Sequence, residues 1–219
     1  MSYKTIVLPK SLSDPLQWDQ LVEKFKTFRL QSLQLSPESF SSTYAREINF
    51  TQDIWESRLK STSAITAVII WDPIPSSADY IPLILNAPWI ASLILSGPLN
   101  AVTAAKDWEE QQNFDPGTTY FGAVGPEIER GYVLNAIYVL PSERRKGLAN
   151  QLIEYAKLHA VEVNKGKKIM LVLLVNFESF AARKCYEKSG FEMVHDYWFS
   201  EPDGSGSKGH AAVMRLDVG

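Results

Sequence analysis

The chain has 219 residues, 45% hydrophobic and 21% charged, which excludes a disordered or fibrous protein and suffices for a full core. Lys and Arg number 22 against 25 Asp and Glu, a net charge of −3, so nothing draws it in bulk to nucleic acid or to an anionic membrane. One cysteine, Cys185, excludes an intrachain disulfide framework and fits a reducing compartment.

The start, Met1-Ser2-Tyr3-Lys4, is not followed by a long apolar run, so no signal peptide is expected. Thr5 to Leu8 fits a short edge strand. Asp14-Pro15 starts a helix, a capping side chain followed by a residue pre-set for the first turn. Trp18, Leu21, Val22, Phe25 and Phe28 then repeat at helical spacing, up to Ser36-Pro37. Ser42 to Leu59 predicts a second, more polar helix with Ile54, Trp55 and Leu59 inward. Ala64 to Trp71 and Trp89 to Leu95 predict strands, with a Pro- and Ser-bearing insertion, Pro73 to Pro88, between them. The uncharged stretch from Tyr80 to Ala105 is long enough to cross a bilayer, but Pro82, Pro88 and Pro98 cut it into pieces that read as buried strands. Lys106 to Arg130 is mixed; Asp115-Pro116-Gly117 is a turn, and Thr118 to Val124 is a further strand candidate.

From Tyr132 the pattern sharpens. Tyr132 to Val139 is a strand closed by Pro141. Leu148 to Val163 is a helix with Leu148, Leu152, Tyr155, Ala156, His159 and Val163 on one face. Asn164-Lys165-Gly166 ends it. Ile169 to Val175 is a run of apolar residues, the mark of a strand buried on both faces. Strand, helix, strand with short links is a βαβ unit, so these two strands are expected to be parallel. Ser179 to Ser189 is a short helix stopped by Gly190. Phe191 to Phe199 and Ala211 to Val218 are the last strands, joined by the turn-rich stretch from Glu201 to Gly209. The expected fold is one α/β or α+β domain over residues 1–219.

The loop Arg144-Arg145-Lys146-Gly147-Leu148-Ala149 joins a strand to a helix start. Unpaired amides and a positive dipole end meet there, and Gly147 removes a side chain where a ligand approaches. Three cations add to the field. This is a site for a di- or polyphosphate, or else a solvated basic turn; loop chemistry alone does not choose.

Leu134 to Leu152, read as Leu-x-x-Ile-Tyr-Val-x-Pro-x-x-Arg-x-x-Gly-x-Ala-x-x-Leu, resembles the acetyl-CoA motif of the GCN5-related N-acetyltransferases (GNAT). Arg144, Gly147 and Ala149 fall on the family's Gln/Arg-x-x-Gly-x-Gly/Ala positions. Downstream, Ala182-x-x-x-Tyr186-Glu187-Lys188-x-Gly190-Phe191 is similar to the family's next helix and strand. Upstream, Phe28 to Leu33 and Ser36 to Phe40 are similar to its first helix and following loop. The resemblance spans about Phe28 to Val218.

It implies a mixed, mostly antiparallel sheet with a central splayed parallel pair flanked by helices. It implies transfer of an acetyl group from acetyl-CoA to a small-molecule or peptide amine by direct attack in a ternary complex. Backbone groups of Ile137 and Val139 would pair with the pantetheine arm, and the amides of Arg144, Arg145, Lys146, Gly147, Leu148 and Ala149 would hold the pyrophosphate. The thioester would enter between the splayed strands. Tyr186 falls on the tyrosine that protonates the departing thiolate, whose other reading is a helix tyrosine packed on the sheet.

The sequence departs from the family pattern in two places. Val133 stands where many relatives carry a glutamate base; Glu127, Glu129, Tyr138 and ordered water are the alternatives. Ser179 replaces a frequent asparagine, and nearby Asn176 either contacts the cofactor or caps the strand end. A CoA-binding module without catalysis and a transferase of longer acyl groups are the rival readings. The expected protein is a monomer or homodimer of the cytoplasm or nucleus, with no metal, nucleic acid or membrane. At the acceptor, Glu38, Glu47, Asp53 and Trp55 either greet a cationic amine or form plain surface.

Other signals are discounted. Gly204-Ser205-Gly206-Ser207-Lys208-Gly209 matches a dinucleotide pattern, but no helix follows it. His159, His195 and His210 are scattered and show no metal spacing. Cys185 reads as a buried structural thiol, and Lys165-Gly166-Lys167-Lys168 as a solvated turn.

Overall fold

The computed structural model describes residues 3–71, 80–101, 124–200 and 208–219. In chain order the elements are β1 (Tyr3–Val7), α1 (Pro15–Leu35), α2 (Tyr44–Glu47), α3 (Gln52–Lys60), β2 (Ala64–Trp71), α4 (Ile81–Asn86), β3 (Trp89–Asn100), β4 (Arg130–Val139), α5 (Leu148–Val163), β5 (Ile169–Asn176), α6 (Phe180–Lys188), β6 (Glu192–Ser200) and β7 (Lys208–Val218). Seven strands form one sheet in the order β1-β2-β3-β4-β5-β7-β6. The pairs β1–β2, β5–β7 and β6–β7 are antiparallel, while β4 and β5 run parallel. This is the mixed, mostly antiparallel sheet expected. In the parallel pair β4–β5, α5 supplies the crossover that parallel strands need.

By compactness the chain divides into two units, Met1–Ile94 with Ala136–Leu152, and Leu95–Asn135 with Ile153–Gly219. In the first, Asp14 accepts the Leu16 amide at 2.9 Å and starts α1. The face read from the sequence is buried: Trp18, Leu21, Val22, Phe25 and Phe28 pack with Trp55, Val68, Trp89 and Tyr138. Glu47, at the end of α2, is 1% exposed and meets Arg29 at 2.7 Å and Arg58 at 2.8 Å. Burial alone would raise its carboxyl, but the two guanidiniums and Ser42 bring it down to about 2.

In the second unit β5 is the central buried strand. Ile169 to Leu173 are buried, and its whole length pairs with β7. Tyr132 on β4 is also buried; its hydroxyl accepts a hydrogen bond from the side-chain amide of Asn164 at 2.7 Å.

Several boundaries differ from the sequence reading. The stretch from Ser42 to Leu59 is two helices, because Asn49 and Phe50 interrupt it, and Ile54 turns outward while Trp55 and Leu59 turn in. β3 runs on to Asn100 and β4 begins at Arg130. α5 matches its expected span but is rotated: Leu148, Leu152, Ile153, Ala156 and Ala160 are buried, whereas Val163 is exposed. The period read for α5 was closer to a strict heptad than a helix in fact keeps. Within the uncharged stretch lie α4 and β3, and no described helix is long and apolar enough to cross a membrane. The Asp115-Pro116-Gly117 turn, residues 118–123 of the expected strand and residues 204–207 of the glycine-rich tip lie outside the described residues.

Candidate active site

β4 gives the first unit its chemistry. Ala136 sits at φ 49°, a left-handed value that breaks the regular strand. The parallel ladder to β5 ends at Leu134 opposite Leu173, so Ile137 and Val139 lie beyond it. On the other edge the Leu140 amide donates to the Ile90 carbonyl at 2.9 Å. Backbone groups alternate sides along a strand, so those of Ile137 and Val139 face away from β3. They are strand-edge groups of the kind an extended ligand can pair with. The Val139 carbonyl already accepts a hydrogen bond from Nε of Arg144 at 3.2 Å.

Pro141 ends β4 and opens a short 3-10 turn, Pro141–Glu143. Arg145 at φ 64° and Gly147 at φ 79° then swing the backbone into the start of α5. The Gln151 amide donates to the Gly147 carbonyl at 3.0 Å, and the Leu148 and Ala149 amides have no backbone partner among the described residues. The amides of Leu148 and Ala149 therefore project from the first turn, along the positive end of a 16-residue helix. A β-carbon built on Gly147 would meet nothing within 4 Å. The space over the loop is open, and the cradle suits a pyrophosphate.

The three cations divide the work. The Arg144 guanidinium folds back, donating to the Ser36 hydroxyl at 2.6 Å and so tying the loop to the end of α1. Lys146 pairs with Glu143 at 2.9 Å, and Tyr3 also donates to Glu143, at 2.7 Å. The hydrogen bonds from Lys146 and Tyr3 hold the Glu143 carboxyl below its ordinary range. Arg145 has no side-chain partner among the described residues. Sequence reasoning overlooked Glu143, although an acid three residues before a lysine in a tight turn was there to be read. The loop is less positive than its three cations suggest, and what it presents to a ligand is chiefly backbone amides plus Arg145.

In the second unit Tyr186 occupies the last turns of α6, 9% exposed, with its ring edge-on to Phe191 at 6.4 Å. Burial, and secondarily the Cys185 thiol, push its phenol well above the usual range. It keeps its proton at every ordinary pH, as a donor must. Burial likewise raises the Cys185 thiol, which makes it a poor nucleophile. Asn176 closes the turn after β5, its side-chain oxygen accepting the Glu178 amide at 2.8 Å. Ser179 precedes α6 without capping it through its side chain.

Of the base alternatives, Glu129 and Glu127 are exposed partners of Lys167 and Lys168. Tyr138 is 3% exposed, and burial raises its phenol, the wrong direction for a base. Val133 pairs with Val172 in the parallel ladder. Glu47 is committed to its arginines and Trp55 is fully buried, so neither is free to greet an amine. No group of three or more metal-ligating side chains occurs among the described residues.

Residues 109–193 match the family model of the acetyltransferase (GNAT) domain. This stretch, less than half of the chain, is similar to a GNAT acetyltransferase domain. Solved structures agree with the fold. A GNAT-family acetyltransferase from Streptococcus pneumoniae superposes with a TM-score of 0.62 at 14% identity, covering 99% of this chain and 100% of that one. A phosphinothricin acetyltransferase from Sinorhizobium meliloti, solved with acetyl-CoA, gives 0.61 at 12% identity over 100% and 90%. NAA60 from Arabidopsis thaliana, also solved with acetyl-CoA, gives 0.59 at 10% identity over 99% and 98%. No curated protein matches the chain.

Proposed function

We propose that this single GNAT domain transfers an acetyl group from acetyl-CoA to an amine by direct attack in a ternary complex. The observation that carries the reading is the β4–α5 turn: projecting amides at a helix start, a left-handed Gly147 beneath open space, and an Arg145 with no side-chain partner among the described residues. The amides of Arg145 to Ala149 hold the pyrophosphate. Ile137 and Val139 offer strand-edge groups to the pantetheine arm, with Asn176 and Ser179 as further contacts. Bound there, acetyl-CoA supplies a thioester carbon that an uncharged amine attacks as the thiol departs. Tyr186 donates a hydrogen bond and then a proton to the departing sulfur; its raised phenol stays protonated for that role. No nucleophile is placed to form an acetyl-enzyme, since Cys185 is held as the thiol. The protein acts in the cytoplasm or nucleus as a monomer or homodimer, on a small-molecule or peptide amine.

The test is thiol release from acetyl-CoA across a panel of amines, beside calorimetry of CoA binding. Release with at least one amine supports the transferase. CoA binding with no release would leave a binding module without catalysis, and release only with longer acyl-CoAs would change the donor.

A further inference from the structure

Between α1 and the sheet, wholly inside the first unit, lies a hollow of about 320 Å³, its open mouth included, of which about 20 Å³ admits the centre of a water molecule. That is room for one water-sized group inside, with more space at the mouth. Phe28 of α1, Val68 of β2, Trp89 and Ile94 of β3 and Ala136 of β4 line it, so most of the wall is apolar. Arg29 is the one charged residue of the lining, and no carboxylate is among the residues that form it.

Arg29 does not spend all of its guanidinium. Nε donates to Oε2 of Glu47 at 3.1 Å and Nη2 to Oε1 at 2.7 Å. Nη1 is buried and has no hydrogen-bond partner among the described residues. Glu47 is shared with Arg58, so two guanidiniums stand against one carboxylate. The Phe40 ring covers a face of the Arg29 guanidinium, its centroid 4.5 Å from Cζ. A buried charged donor left bare is costly, because it has given up water for nothing. On the wall of a hollow, it is a group built to meet an acceptor.

The neighbouring groups narrow the choice of acceptor. The Ser32 hydroxyl, also in the lining, already donates to the Arg29 carbonyl at 2.7 Å. The Ser92 hydroxyl reaches the Ala136 carbonyl only at 3.5 Å, a contact weak enough to yield to a ligand. One excess positive charge, a guanidinium donor, a hydroxyl that can turn and apolar walls suit a carboxylate on a small apolar body. They do not suit an ammonium, to which the lining offers no anion.

We propose that this hollow binds the carboxylate of a small apolar molecule and that Nη1 of Arg29 holds it. The carboxylate belongs either to the amine acceptor or to a separate ligand. β4 carries Ala136 on the wall of the hollow and, one residue on, the edge groups of Ile137 assigned to the pantetheine arm, both in the first unit. The acceptor version rests on the acetyltransferase reading above; the binding itself does not.

The probe is butyrate, with butyramide, the same body without the charge, as its control. Calorimetry on the full chain is expected to show butyrate bound at least about tenfold more tightly. In a nitrogen-15 spectrum the Arg29 Nε–Hε signal should move with butyrate and not with butyramide. Arg29→Gln removes the charge and should bring butyrate down to the butyramide level. Because Arg29 also holds Glu47, Ser92→Leu is the second variant. It fills the hollow and should abolish butyrate binding in a chain whose Arg29 signal is otherwise unmoved. Equal binding of the two probes, or binding of neither, would overturn the proposal, and so would butyrate binding that survives Ser92→Leu. Thiol release from acetyl-CoA then tells the two sources apart. A lower KM for amino carboxylates than for their amides, lost in Arg29→Gln, puts the carboxylate on the acceptor. Butyrate binding without that preference puts it on a separate ligand. No thiol release with any amine removes the transferase reading and leaves the butyrate result standing.

Discussion

Two turns in this molecule do the same topological job and end up opposite in character. Each takes the chain from the carboxyl end of a central strand into a helix. After β4 the turn is open: Gly147 has free space above it, the first amides of α5 project, and Arg145 has no side-chain partner among the described residues. After β5 the turn is consumed by its own neighbours. Asn176 accepts the Glu178 amide, Phe177 stacks on His210, and Arg183 donates to the Phe177 carbonyl at 2.8 Å. A strand-to-helix turn becomes a ligand site only when the chain leaves its donors unspent. The β4 turn leaves backbone amides unspent. The β5 turn spends its own groups to fix side chains on the neighbouring hairpin.

The contrast can be attacked from either side. The largest effect is expected on α6, the helix that the closed turn positions. Tyr186→Phe should cut turnover by about a hundredfold with CoA binding kept. Because burial raises this phenol, wild-type activity should show no alkaline loss from Tyr186 through the usual tyrosine range near pH 10. Unchanged turnover in the variant would remove the acid role. Next comes the open turn. Gly147→Asp places a charged L-residue at φ 79° beneath the incoming phosphates. Strain and repulsion together should weaken CoA binding by roughly 30- to 100-fold in calorimetry; binding at wild-type strength would mean the open turn is only a surface loop. The smallest effect separates structure from contact in the closed turn. Asn176→Ala removes one hydrogen bond and should cost about 1 kcal/mol in denaturant unfolding. A parallel drop in CoA affinity would show that the Asn176 amide also touches the cofactor.

The open turn was legible in the sequence because everything it needs is local. Pro141, Gly147 and the run from Leu148 fall in one short stretch, and the helix they start has the span read for it. The closed turn was not. His210 and Asp196 are 14 residues apart and meet only across the register that sets Trp198 opposite His210. Reading the three histidines for metal spacing had no way to find that pair. Distance in sequence hid other facts as well. Arg144 reads in sequence as one of three cations adding to the loop's field, yet its guanidinium goes to Ser36, 108 residues away. Glu47 looked like a greeting for an amine, yet two arginines from α1 and α3 claim it. Isolated polar residues in a sequence advertise chemistry, and only the fold says which of them are already spoken for.

The Glu47 cluster also sets how this unit fails in acid. A carboxyl that titrates near 4.5 when unfolded and near 2 when folded contributes stability that is whole above pH 4.5 and drains away as the pH falls toward 2. What drains is specific. α2 is four residues long, and Glu47 is its only buried side chain. Once that carboxyl is neutral, the Arg29 and Arg58 guanidiniums face each other without an anion. Acid should therefore loosen the first three helices at their common joint before it opens β1 and β2 of the same unit, whose described residues include no buried carboxylate.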